Sequence, residues 1–235
     1  YGLYVSNDGA GADPKKAAVN IYGGEFTGPS YSVWLGSDVN DPVDSVINIW
    51  GGVFHKDIML QENAETSGAI RIYGGTYGKA LKESLLASGY HQVKNGDQTY
   101  TVQAQSPSAS VGDRTFASLE DAFRAARDGE TITMLKSVEE TDGVMLDDGR
   151  ELTVDLNGCD ITFQANGPGT NHFFDVKHGS LRLTGSGTVA EKEGGEYFGP
   201  VYLWGSKDPE DASYTCLTVD EGVTLKGFAG IFVDE

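Results

Sequence analysis

Cysteine, proline, basic side chains and long apolar runs are all scarce in this chain of 235 residues. Its two cysteines, Cys159 and Cys216, are too few for a disulfide scaffold, and neither sits in a C-x-x-C or Cys/His metal spacing. Whether they pair with each other depends on geometry that spacing leaves open. Apolar runs of only a few residues exclude a membrane-spanning helix. Lys and Arg number 17 against 35 Asp and Glu, a net charge of −18 that opposes binding to nucleic acid or anionic lipid. The deficit is uneven: residues 1–110 carry 7 basic and 11 acidic side chains, and residues 111–235 carry 10 and 24. Catalytic signatures are missing as well. His55, His91, His172 and His178 form no H-x-H or H-E-x-x-H pattern. There is no G-x-S-x-G elbow and no Gly-Lys-Ser/Thr after a glycine-rich turn.

Glycine is abundant, at 32 residues, without the three-residue period of collagen. Many of these glycines mark a repeat. Val19–Phe26 (VNIYGGEF), Ile47–Phe54 (INIWGGVF) and Ile70–Tyr77 (IRIYGGTY) align at spacings of 28 and 23 residues. Between them recur Gly2-Leu3-Tyr4-Val5, Ser32-Val33-Trp34-Leu35 and Asp57-Ile58-Met59-Leu60. Two short strands per period with a Gly-Gly corner describe one turn of a coil, and several turns must stack to bury an inner face. The second half repeats the scheme. Leu152–Gly158, Ser180–Gly185 and Cys216–Asp220 form one ladder, with Phe173–Val176, Val201–Trp204 and Gly230–Val233 the other. The pattern predicts an all-β fold, a right-handed parallel β-helix (solenoid) present as two partial coils.

One helix is predicted at about 118–128, with Ser118 as N-cap and an apolar stripe of Leu119, Ala122, Phe123 and Ala126. It is placed to cover the open turn begun by Thr131–Leu135. The stretch Gln103–Ser110 has linker composition. The predicted organisation is 1–103 as the C-terminal part of one β-helix module, 104–114 as linker, and 115–235 as the N-terminal part of a second. Such an order reads as a segment of a longer, tandem protein, whose open coil ends invite end-to-end self-association.

Two runs, TFASLEDAFRAARDGETITMLKSV followed by LTVDLNGCDIT (115–138 and 152–162) and IRIYGGTYGKALKESLLASGYHQVKNGDQTYTV (70–102), carry a family likeness. They resemble the opening and the close of pectate-lyase-like β-helix modules in large secreted proteins of gut Firmicutes. The resemblance implies an extracellular or wall-attached bacterial location and says little about activity. Cys159 departs from it, standing where such segments more often have Lys.

Candidate binding residues follow from alternation along the strands. Ile47 and Ile49 should point inward, with Asn48 and Trp50 outward. Tyr22, Trp50 and Tyr73 would then stack at about 4.8 Å, either as a platform for sugar or protein or as a ladder that stabilises the coil. Tyr202 and Trp204 lie on the other strand family, partly in the core. Asp208, Glu210 and Asp211 could hold a calcium ion, and no other cofactor is expected. No catalytic residue is assigned. The predicted function is a non-catalytic surface segment, an adhesin binding a host glycoprotein (mucin or immunoglobulin) or a glycan. A glycosidase or polysaccharide lyase on the same fold is the alternative, and a structural spacer the second.

Overall fold

The computed structural model describes residues 1–6, 18–36, 45–60, 70–141, 143–164, 172–192, 199–205 and 215–234. The chain is all-β, with one α-helix among the described residues, and divides into two units, Tyr1–Ser106 and Pro107–Glu235.

In the first unit, nine strands repeat a cycle of three. The first cycle is β1 (Leu3–Ser6), β2 (Ala18–Ile21) and β3 (Glu25–Phe26). The second is β4 (Tyr31–Gly36), β5 (Val46–Ile49) and β6 (Val53–Phe54), and the third is β7 (Asp57–Leu60), β8 (Ile70–Ile72) and β9 (Thr76–Tyr77). Each strand pairs in parallel with its counterpart one cycle on, giving three sheets, β1-β4-β7, β2-β5-β8 and β3-β6-β9. The period therefore holds three strands where the sequence pattern showed two. The third follows the Gly-Gly corner inside the aligned repeat and is only two residues long, too short for strand alternation to show. Register keeps like residues in columns: Val19 over Ile47 over Ile70, and Phe26 over Phe54. The rings of Phe26, Phe54 and Tyr77 stack at 4.9 and 5.0 Å. An antiparallel hairpin, β10 (Tyr90–Lys94) and β11 (Tyr100–Ala104), adds to β9 and covers that sheet's last edge.

The stretch expected as linker, 104–114, holds part of a second hairpin. Its strands are β12 (Ala109–Val111) and β13 (Arg114–Phe116). β12 also pairs antiparallel with β14 (Thr131–Met134), the first parallel strand of the second unit. Ala109 and Val111 are buried there. Small residues that read as linker by composition serve here to pack closely. The α-helix, α1, runs Leu119–Ala125 rather than to 128. The Ser118 hydroxyl accepts the Asp121 N–H at 3.1 Å, as the N-cap pattern requires. Leu119, Ala122 and Phe123 are buried, and the helix lies against β12, β13 and β14. Its C-terminal carbonyls receive two arginines: Arg114 donates to Ala125 O, and Arg150 to Phe123 O and Ala126 O.

Strands β14, β15 (Val138–Glu140) and β16 (Val144–Leu146) then open a cycle like that of the first unit. It continues through β17 (Glu151–Asp155), β18 (Ile161–Phe163) and β19 (Phe174–Val176), then β20 (Gly179–Thr184), β21 (Gly187–Glu191) and β22 (Val201–Leu203). It ends with β23 (Thr215–Val219), β24 (Val223–Lys226) and β25 (Ile231–Val233), all in parallel register. Leu152 over Leu181 over Leu217, and Val154 over Leu183 over Val219, form the inner columns. No described helix is long and apolar enough to cross a membrane.

Candidate functional site

Parallel register sets the outward columns as firmly as the inward ones. On the sheet β16-β19-β22-β25, Phe174, Val176 and Val201 point into the core and are buried. The alternate positions Met145, Asp175, Tyr202 and Phe232 are aligned one above another on the opposite face. Trp204, one residue past β22, stands beside this column with 39% of its surface exposed. Its ring meets Tyr202 edge to face at 4.9 Å, and its indole Nε1–H donates to Asp175 Oδ1 at 3.4 Å. His172 packs against Tyr202 at 4.5 Å and Phe232 at 5.4 Å, and its Nδ1 lies 3.2 Å from the Gly199 carbonyl.

This cluster also perturbs titration. Burial raises the Asp175 carboxyl above its ordinary value, against the lowering effects of nearby His172 and the Trp204 N–H. The Tyr202 phenol is raised by desolvation first and then by hydrogen bonding to Asp234 and the charges of Asp234 and Asp175. The result is a half-buried carboxyl beside aromatic side chains, with a partly exposed indole next to it. Aromatic faces pack against the apolar face of a sugar ring, and a carboxylate accepts its hydroxyls.

The other residues singled out in the sequence have different surroundings. Trp50 and Tyr73 are buried, at 2% and 6% exposure, and stack on each other at 3.8 Å. Tyr90 of the hairpin closes over Tyr73 edge-on at 5.3 Å. Trp50 was expected to face outward, but alternation ends with β5 at Ile49. Trp50 itself belongs to the corner, where its N–H donates to Ile21 O. Tyr22, partly buried, occupies the equivalent corner one cycle earlier. Such stacking leaves Trp50 and Tyr73 no face for a ligand. Asp208, Glu210 and Asp211 lie outside the described residues. Among those described, no group of three His, Cys, Asp or Glu could hold a metal. Cys159 and Cys216 are free thiols.

Sequence reasoning missed Asp175, His172 and Phe232 at this cluster. It also missed a second aromatic group on β1-β4-β7, where Tyr4 and Trp34 stack at 4.6 Å and 4°. The available signal was the outward position of the aligned strands, which reads Asp175, Tyr202, Phe232 in one unit and Tyr4, Trp34, Met59 in the other. No protein-family model, curated protein or solved structure matches the chain.

Proposed function

We propose that both units are partial coils of a right-handed parallel β-helix, and that the chain is a non-catalytic binding segment of a bacterial surface protein. The three-strand cycle supports the coil, since consecutive strands rotate through three parallel sheets without reversal. Its partner is a host glycoprotein, mucin or immunoglobulin, engaged through its glycans. The observation carrying this assignment is Trp204, exposed and tethered through its N–H to the half-buried Asp175 beside Tyr202. The pectate-lyase-like sequence resemblance and the acidic surface agree with an extracellular location. A glycan and host-glycoprotein array comparing the chain with Trp204→Ala tests the assignment. Signals lost in the variant support it, and an array without signals favours a spacer.

One observation favours a glycosidase on the same face. Asp175, with its raised carboxyl, has Asp234 as a second carboxylate near Tyr202. Glycoside hydrolysis uses two carboxyl groups, one of them with its pKa raised. Release of reducing ends from mucin glycans, abolished by Asp175→Asn, would replace the binding assignment with this one.

A further inference from the structure

The first unit contains a cavity of about 300 Å³ at the starts of β4 and β7, closed on one side by the segment that follows β9. That segment is fixed in place. The Leu81 N–H donates to Gln92 Oε1, and Gln92 Nε2–H donates back to Leu81 O, at 2.8 and 2.9 Å. Tyr31, Ile58 and Met59 supply an apolar wall. Lys56, Lys79 and Lys82 line the same space, three of the seven basic residues in 1–110. Lys79 is paired with Asp57 at 2.8 Å. Lys56 and Lys82 have no carboxylate partner among the described residues, in a chain whose net charge is −18.

We infer that this cavity binds a single anionic saccharide unit, bearing a carboxylate or a sulfate ester. Its size lies at the small end of ligand pockets, about 300–1,000 Å³, which suits one ring better than a chain. Tyr31 and Met59 offer apolar surface to a sugar ring, while the ammonium groups of Lys56 and Lys82, without a carboxylate partner among the described residues, address a negative substituent. Lysine acts as a point charge without the fixed fork of arginine, so carboxylate and sulfate are both accommodated. A neutral sugar would offer the two ammonium groups no opposite charge. The volume of about 300 Å³ also suits one ring better than an extended acidic peptide.

This site is independent of the Trp204 cluster, and the two fail separately. Titration calorimetry of the full chain with glucuronate, glucose 6-sulfate, glucose, acetate, inorganic sulfate and a glutamate-rich peptide provides the test. Either acidic sugar, or both, should bind, with glucose, the simple ions and the peptide weaker by about tenfold or more. Lys56→Ala and Lys82→Ala should each weaken binding about threefold or more, and added salt should do the same. Tyr31→Ala should weaken it and Trp204→Ala should leave it unchanged. Equal binding of glucose, acetate or the peptide, unchanged lysine variants, or no binding of either acidic sugar at millimolar concentration would overturn the proposal. Both lysines are exposed, so their variants should fold.

Discussion

Alanine at the first glycine of each corner makes the stacking itself measurable. Gly23, Gly51 and Gly74 hold equivalent places after Tyr22, Trp50 and Tyr73. A Cβ added at Gly23 meets nothing within 4 Å. At Gly51 it comes to 2.8 Å from the Tyr22 carbonyl oxygen, and at Gly74 it would overlap the Trp50 carbonyl oxygen. Those carbonyls belong to corner backbone bonded to a neighbouring cycle: Trp50 N–H donates to Ile21 O and Tyr73 N–H to Ile49 O, both at 2.8 Å. They cannot retreat without loosening a ladder. The entropic gain of replacing glycine in the unfolded chain, about 0.4–1 kcal/mol, is common to all three and cancels in comparison. What remains is overpacking, about 1–3 kcal/mol. Gly23→Ala should thus be neutral or slightly stabilising, Gly51→Ala intermediate, and Gly74→Ala the most costly, with a spread of about 1–3 kcal/mol. Guanidinium unfolding followed by tryptophan fluorescence reads this, since Trp34 and Trp50 both lie in the first unit. Equal costs at Gly23 and Gly74 would refute the parallel stacking of corners.

Trp50→Ala removes a fully buried ring and should cost about 3–5 kcal/mol in denaturant unfolding, whereas an exposed platform residue would cost under about 0.5 kcal/mol. Arg150→Ala strips the helix C-terminus of one of its two arginine donors and should destabilise the second unit by about 1–3 kcal/mol in thermal unfolding. For Asp175, a folded carboxyl raised above its unfolded value means the ionised form opposes folding. That cost is present at neutral pH and is relieved as pH falls through the folded value. Asp175→Asn should therefore be more stable than the natural chain at pH 7, with the difference shrinking toward pH 4, as pH-dependent chemical denaturation would show. Ile231 and Val233 continue the inward columns of Val201 and Leu203, yet are 42% and 65% exposed. Sedimentation should accordingly show concentration-dependent association, reduced in an Ile231→Glu/Val233→Glu double variant.

The inward columns were legible because Ile47, Ile49, Ile70 and Ile72 recur with a period of two inside a longer repeat. Corners were less so. Alternation fixes a side chain only while the strand lasts, and the Gly-Gly turn carries Trp50 inward one residue later. Ala109 and Val111 looked like linker because composition cannot reveal that β14 waits to pair with them. The site was half legible. Large aromatic side chains drew attention to Tyr202 and Trp204. Asp175 lies 27 residues from Tyr202 and 29 from Trp204, and only the register of β19 with β22 brings the three together.

Surface plasmon resonance of the chain over immobilised mucin and immunoglobulin, run alongside a reducing-sugar assay, compares the natural sequence with Trp204→Ala. Saturable binding that the variant loses by about tenfold or more, without release of sugar, is the predicted result. Binding that survives the loss of Trp204, no binding to either glycoprotein, or turnover of their glycans would contradict it.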